Sequence, residues 1–204
     1  MPNVWILSSA IIGYLLGSLP FGYLVARAHG VDIFKVGSGN PGATNVKRVL
    51  GAKAGNTVFA LDALKGAIAA AWPLLPFLTV PDTRIMGLVG VICAVLGHSF
   101  SMFTKFKGGK GVATAAGGLV ILIPLASLVG AVVWVVTFFI TRYVSLGSVL
   151  AAVSVPVASW LFKNPLPLNL VAAALGLFVI IRHRANIKRL LNGTETRFVK
   201  KART

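Results

Sequence analysis

The topology of this chain depends on residues 112–140, VATAAGGLVILIPLASLVGAVVWVVTFFI, a run without any charged side chain. As one helix these 29 residues would measure about 43 Å, against a hydrocarbon core of about 30 Å. The run is long for one membrane span and short for two. Pro124 lacks the backbone N–H that a helix interior needs, so it predicts a break and two short helices.

The rest of the chain is also rich in apolar runs. The 204 residues are 56% hydrophobic and only 12% charged, about half the charged share of a soluble domain. This composition predicts an all-α integral membrane protein, as a single polytopic domain over residues 1–204 with a basic tail from about 183 to 204. The other predicted spans are Val4–Val25, Thr57–Leu78, Ile85–Phe103, Val144–Phe162 and Leu166–Ile181.

The distribution of charge distinguishes six spans from seven. The net charge is +16, from 20 Lys and Arg against four carboxylates. One span over residues 112–140 would place Arg142 and the basic tail outside, whereas two spans place every strongly basic segment inside, as the positive-inside rule requires. We therefore expect seven transmembrane helices with short polar cytoplasmic loops, the N-terminus outside and the C-terminus inside.

The first polar loop contains the glycine-rich segment Gly37–Arg48, GSGNPGATNVKR. Its glycines allow tight turns, and Thr44 or Asn45 is predicted to cap a short helix that follows. Amides at that helix start, the hydroxyls of Ser38 and Thr44, and the guanidinium of Arg48 would suit a phosphate. The alternative is a loop whose glycines serve only as turns.

A second glycine-rich basic segment, Lys105–Thr114, repeats this chemistry before another helix start. It combines flexible backbone with lysines at 105, 107 and 110. Two such segments on one side of the membrane predict a shared phosphate-binding site. Neither contains a cysteine, and the single Cys93 excludes a disulfide framework or a cysteine-rich metal cluster.

Two further features carry unexpected polar residues. Asp62 and Lys65 lie three residues apart inside a predicted span, and they are either a structural ion pair or functional groups. In the tail, a helix from Arg182 would place His183 and Asn186 near one face, and Gly193 would end it. The positive-inside rule does not explain a histidine and an asparagine there.

The order of the polar segments resembles the signature motifs of the bacterial acyl-phosphate:glycerol-3-phosphate acyltransferases. This resemblance implies an integral membrane enzyme with a seven-helix fold. It implies transfer of a fatty acyl group from acyl phosphate to the 1-hydroxyl of glycerol 3-phosphate, giving lysophosphatidic acid and phosphate in phospholipid biosynthesis. The segments that carry the resemblance are Gly37–Asn45, Gly97-His98, Gly108–Thr114, Arg142–Ser145 and Arg182–Glu195.

The resemblance also implies the site and its surroundings. By matching positions, we expect Lys110, Ser38 and His183 to be catalytic, and the substrates to contact Thr44, Asn45, Arg48, Gly108, Gly109, Ser145 and Asn186. It implies no metal and no cofactor. Expected partners are acyl phosphate, glycerol 3-phosphate, membrane lipids and the soluble enzyme that makes acyl phosphate, with no nucleic acid. The expected location is the bacterial cytoplasmic (inner) membrane, multi-pass, with the active site facing the cytoplasm.

The residues also limit the reaction mechanisms that such a site could use. The histidine–acid pair common in other glycerolipid acyltransferases requires Asp five residues after His, and no histidine here has one. Because acyl phosphate is already an activated anhydride, we expect direct transfer in a ternary complex. A substrate phosphate oxygen would accept the hydroxyl proton, with His183 as the rival base. Competing classes are a transporter for a phosphate-bearing anion and a non-catalytic lipid-binding scaffold.

Overall fold

The computed structural model describes residues 2–198, and these residues form helices and turns without any strand. Contacts divide the chain into two units, Met1–Leu122 and Ile123–Thr204, which are described separately. The predicted tail beyond residue 198 lies outside the described residues. The helices are α1 (Pro2–Ser18), α2 (Phe21–Ala28), α3 (Ala43–Leu50), α4 (Ala52–Ala71), α5 (Thr83–Ser99), α6 (Val112–Leu122), α7 (Pro124–Thr141), α8 (Val144–Leu161), α9 (Leu166–Arg182) and α10 (Arg184–Leu191).

The lengths and apolar composition of the helices confirm the predicted class, an all-α membrane protein. Five stretches are long and apolar enough to cross a bilayer, or six if the bent pair of α9 and α10 counts as one. Helix α6 has 11 residues, about 17 Å, so the predicted count of seven depends on whether this short helix crosses the membrane. The five stretches are Asn3–Ala28, Ala52–Leu74, Thr83–Thr104, Pro124–Thr141 and Val144–Leu161.

The predicted break near Pro124 is confirmed. Helix α6 ends at Leu122, Ile123 leaves the helical region with φ −140°, and α7 begins at Pro124. Proline suits the first position of a helix because that N–H has no intrahelical partner.

Other predicted boundaries differ from the structure. Val4–Val25 is divided, because Pro20 interrupts it between α1 and α2. The second span begins at Ala52 rather than Thr57. The predicted capping of α3 by Thr44 or Asn45 is wrong: the helix starts at Ala43 with Gly42 as its N-cap, and no side chain caps it.

In the first unit, small residues allow helices to approach closely. A methyl group on Gly13 of α1 would overlap the backbone of Gly90 on α5, and one on Gly66 of α4 would overlap that of Thr114 on α6. Such contacts are typical of membrane helices, which associate through close packing. They place α4, and with it Asp62 and Lys65, in the interior of this unit.

In the second unit, α8 packs against both α7 and α9. Large side chains on α7, including Leu125, Leu128 and Phe139, are exposed, as expected for a lipid-facing helix. The predicted tail helix is present but begins at Arg184 rather than Arg182, after a bend of 59° between α9 and α10. Its predicted end is confirmed, since Gly193 follows α10 with φ +69°.

Candidate active site

The first glycine-rich loop is organised by the buried side chain of Asn45. Its Oδ1 accepts the N–H of Ser38 at 2.9 Å, and its Nδ2 donates to the carbonyl of Val36 at 3.0 Å. The Ser38 amide is therefore already engaged, while Ser38 itself is exposed and Thr44 and Arg48 are half-buried on α3. The loop thus presents side chains at 38, 44 and 48, and Asn45 shapes it from beneath.

The second glycine-rich loop borders a pocket in the first unit. Gly108 and Gly109 line this pocket, and so does Pro41 from the first loop, so the two segments border the same pocket; the side chains of Ser38, Thr44, Arg48 and Lys110 are not part of its lining. The Gly109 N–H donates to the carbonyl of His98 at 3.1 Å, which engages one amide that could otherwise hold a phosphate. Lys110 follows, half-buried, before Gly111 turns the chain into α6 with φ +81°.

The predicted ion pair of Asp62 and Lys65 is present and buried beside this pocket. The two charged atoms are 2.8 Å apart, and the side chains are 2% and 3% exposed. Lys65 also donates to the carbonyl of Leu19 at 2.9 Å, between α1 and α2, and this carbonyl accepts the N–H of Phe21 at 3.1 Å as well. Nδ1 of His98 lies 3.4 Å from the same carboxylate oxygen of Asp62.

In the second unit, the carboxylate of Glu195 connects two of the predicted site residues. One oxygen accepts hydrogen bonds from the Ser145 hydroxyl at 2.8 Å and the Asn186 amide at 2.7 Å. The other accepts from Nε of Arg189 at 2.7 Å. Glu195 therefore orients Ser145 and Asn186 across 50 residues of sequence.

The protonation of Glu195 follows from these contacts. Burial raises the pKa of its carboxyl group. Hydrogen bonds from Asn186, Ser145 and Arg189, with the positive charge of Arg189, outweigh that effect and hold the pKa below its usual range. The group is therefore a charged acceptor at neutral pH and does not act as a proton donor.

The segment around Glu195 lies against the turn before α8. The N–H of Phe198 donates to the carbonyl of Arg142 at 3.0 Å, and Nε of Arg197 donates to the Tyr143 hydroxyl at 2.9 Å. Residues 197 and 198 of the basic tail are thus held by the turn that leads into α8, where Ser145 lies.

His183 is buried at the bend between α9 and α10. Its Nδ1 lies 2.8 Å from the carbonyl of Val179, and because a carbonyl can only accept, Nδ1 carries a proton. In the neutral ring Nε2 is then the basic nitrogen. This tautomer is compatible either with binding a hydroxyl or with accepting its proton.

Sequence reasoning did not assign a role to Glu195 or His98. Both stood inside quoted motifs, where neither spacing nor composition indicated their partners. The one sequence feature that could have pointed to Glu195 is that it is a lone carboxylate in a basic tail. The predicted site residues themselves fall in both units: 38, 44, 45, 48, 108, 109 and 110 in the first, and 145, 183 and 186 in the second.

These features define a helical integral membrane protein whose polar residues gather in glycine-rich loops and at a buried carboxylate. Residues 7–193 match the family model described as "Glycerol-3-phosphate acyltransferase", and the chain belongs to this family of enzymes.

Relatives and solved structures agree with this assignment. The chain is 46% identical over 186 residues to the glycerol-3-phosphate acyltransferase of Geobacillus kaustophilus (strain HTA426), covering 91% of this chain and 92% of that protein. It is 47% identical over 186 residues to that of Bacillus subtilis (strain 168), covering 91% and 93%.

Two crystal structures of PlsY, an integral membrane glycerol 3-phosphate acyltransferase, are similar in fold to this chain over nearly its whole length. Its glycerol 3-phosphate form has a TM-score of 0.88 at 43% identity, covering 95% of this chain and 96% of that chain. Its lysophosphatidic acid form has a TM-score of 0.86 at 43% identity, covering 95% of each chain.

Proposed function

We propose that this acyltransferase moves a fatty acyl group from acyl phosphate to the 1-hydroxyl of glycerol 3-phosphate, releasing lysophosphatidic acid and phosphate in bacterial phospholipid biosynthesis. The observation that carries the acceptor and product is the similarity to PlsY, which was solved in a glycerol 3-phosphate form and a lysophosphatidic acid form. The donor is inferred from the motif resemblance and from two glycine-rich basic loops that could receive a second phosphate.

Direct transfer within a ternary complex is supported by the state of the acidic and thiol groups. All four carboxylates of the chain have partners within the described residues. Asp32 pairs with Lys35, Asp62 pairs with Lys65, Asp82 caps α5, and Glu195 binds Arg189. Cys93 lies within the span Thr83–Thr104 and does not line the pocket beside Gly108 and Gly109. Among the described residues, neither a carboxylate nor the thiol is therefore placed to act as a nucleophile, and acyl phosphate does not need one.

We assign the proposed roles separately to the residues of each unit. In the first, Arg48 and Lys110 bind phosphate, Ser38 and Thr44 add hydroxyl contacts, and the loop backbone at Gly108 and Gly109 shapes the donor site. Ser38 and Lys110 touch the reacting groups and, with His183 of the second unit, are the catalytic residues proposed here. Asn45 acts by holding the first loop.

In the second unit, Ser145 and Asn186 contact substrate in the orientation that Glu195 imposes. His183 helps to bind glycerol 3-phosphate through Nε2, and a phosphate oxygen of a bound substrate accepts the hydroxyl proton. Since both substrates bring their own activation or base, we propose no metal and no cofactor.

The proposal also covers the membrane topology, the cellular location and the partners of the enzyme. We propose seven spans, counting α6 and the α9–α10 pair, with the N-terminus outside and the C-terminus inside. The whole chain, residues 1–204, works as one catalytic domain in the bacterial inner membrane with its active site facing the cytoplasm. Its other partners are membrane lipids and the soluble enzyme that supplies acyl phosphate, and nucleic acid is not among them.

The deciding experiment offers the purified protein labelled glycerol 3-phosphate together with acyl phosphate, acyl-CoA or acyl carrier protein. We expect labelled lysophosphatidic acid with acyl phosphate alone, and sequential kinetics. Product with only acyl-CoA or acyl carrier protein would refute the donor. A trapped acyl-enzyme or ping-pong kinetics would refute direct transfer, and uptake into liposomes without acylation would favour a transporter.

A further inference from the structure

We propose that Asp62, Lys65 and His98 form a positioning network that sets the conformation of the loop at Gly108 and Gly109. Building on the proposed function, this network would determine how the loop and Lys110 meet the donor phosphate. These three side chains were not among the predicted site residues.

Each charged side chain of the network is held by a buried polar contact. Lys65 is held between the Asp62 carboxylate at 2.8 Å and the Leu19 carbonyl at 2.9 Å, so neither charge can move without losing a buried partner. His98 contacts the same Asp62 oxygen through Nδ1 at 3.4 Å, which restrains the plane and tilt of its ring.

The restrained ring lies directly against the loop. A methyl group built on Gly109 would overlap the imidazole, and its nearest atoms would be Nε2, Cε1 and Cδ2 of His98. The His98 carbonyl also accepts the Gly109 N–H at 3.1 Å. His98 therefore contacts Gly109 from its side chain and its backbone at once.

Gly108 provides a natural comparison because its restriction has a different source. A methyl group there would overlap the carbonyl of His98 and the backbone of Ser99, which no side-chain substitution can remove. Gly109 lies outside the left-handed region, so its requirement for glycine comes from the His98 ring. The two adjacent glycines can therefore be separated by experiment.

A purely structural ion pair would not need this third contact. Buried pairs can often be replaced by apolar residues with little effect on stability, so stability alone does not explain why Asp62 and Lys65 are charged here. Their position beside the pocket, with His98 between them and the loop, fits a role in placing the loop.

The test is a double-mutant cycle in purified, correctly folded enzyme. Gly109→Ala should reduce kcat/KM by about 100-fold, and His98→Ala by about 10-fold, since misplacements of about 1 Å have effects of this order. In His98→Ala/Gly109→Ala the clash is gone, so activity should return to within about 3-fold of His98→Ala alone, a strongly non-additive result. The loss should appear mainly as a higher KM for acyl phosphate, with a smaller change for glycerol 3-phosphate.

The matched control is the same cycle at Gly108. Gly108→Ala should lower activity by a similar factor in both the wild-type and the His98→Ala background, because its clash is with backbone. Equal losses from Gly109→Ala in both backgrounds would overturn the network. Thermal unfolding of each variant, measured in parallel, would show the same pattern even if Gly109→Ala were too unstable to assay.

A second variant tests the charged pair without leaving a buried charge unpaired. Asp62→Asn/Lys65→Met removes both charges, and it should keep the fold while raising KM for acyl phosphate by about 10-fold. An unchanged KM would overturn the proposal. Failure of the proposed function would give a different result: Lys110→Ala would be fully active, or the enzyme would use a donor other than acyl phosphate. The coupling between His98 and Gly109 could still be measured in that case from the thermal unfolding of the variants.

Discussion

Replacing Glu195 tests whether one buried carboxylate organises the second unit. Glu195→Gln keeps the size of the side chain but removes its charge. One amide oxygen can still accept from Ser145 and Asn186, while the new NH2 group faces Nε of Arg189, where two donors oppose each other. Because Arg189 is 42% exposed, its ion pair is partly screened and contributes less than a buried one.

The expected magnitude follows from these contacts. Hydrogen bonds to charged groups contribute about 1.5–3 kcal/mol each, so Glu195→Gln should lower the free energy of unfolding by about 2 kcal/mol. Glu195→Ala also leaves the buried donors of Ser145 and Asn186 without their acceptor, so it should lower the free energy by about 3–5 kcal/mol. The matched control is Asp32→Asn, whose exposed pair with Lys35 should contribute less than about 1 kcal/mol.

The pH dependence of unfolding provides a second readout. The pKa of Glu195 is lowered in the folded state, so its contribution is complete above the unfolded value of about 4.3 and is lost as the pH falls through the folded pKa. Thermal unfolding in detergent should therefore show wild type and Glu195→Gln converging on acidification below about pH 4.3. Equal stability of the two proteins at pH 7 would refute the organising role.

Three further outcomes are expected. Arg48→Ala and Lys110→Ala should each reduce activity about 10- to 150-fold while Lys35→Ala leaves it unchanged, and near-normal turnover at low glycerol 3-phosphate would remove that residue from the site. His183→Gln should raise KM for glycerol 3-phosphate and keep the pH profile of kcat. The control is His29→Gln, because Nδ1 of the native His29 also contacts a backbone carbonyl. A fall in kcat of about 100-fold or more with loss of a neutral limb would instead make His183 the base. Cysteine labelling should find the C-terminus inside, and labelling from outside would end the seven-span topology.

The sequence alone was sufficient for features that depend on local chemistry. An apolar run can satisfy its backbone in a bilayer only as a helix, so composition predicted the class and most of the spans. Pro124 lacks an N–H, which placed the break between α6 and α7, and Gly193 marked the end of α10 because it tolerates a positive φ. The order of the polar motifs was sufficient to indicate the family.

The tertiary structure decided which polar groups meet. Asn45 was predicted as a substrate ligand, and the fold uses both ends of its amide to hold the loop, which also explains why it does not cap α3. Lys65 reaches a carbonyl 46 residues away, and Glu195 reaches Ser145 across 50 residues. Such contacts depend on how helices pack and where they are interrupted, whereas periodicity and spacing report only on neighbours within a few residues along the chain.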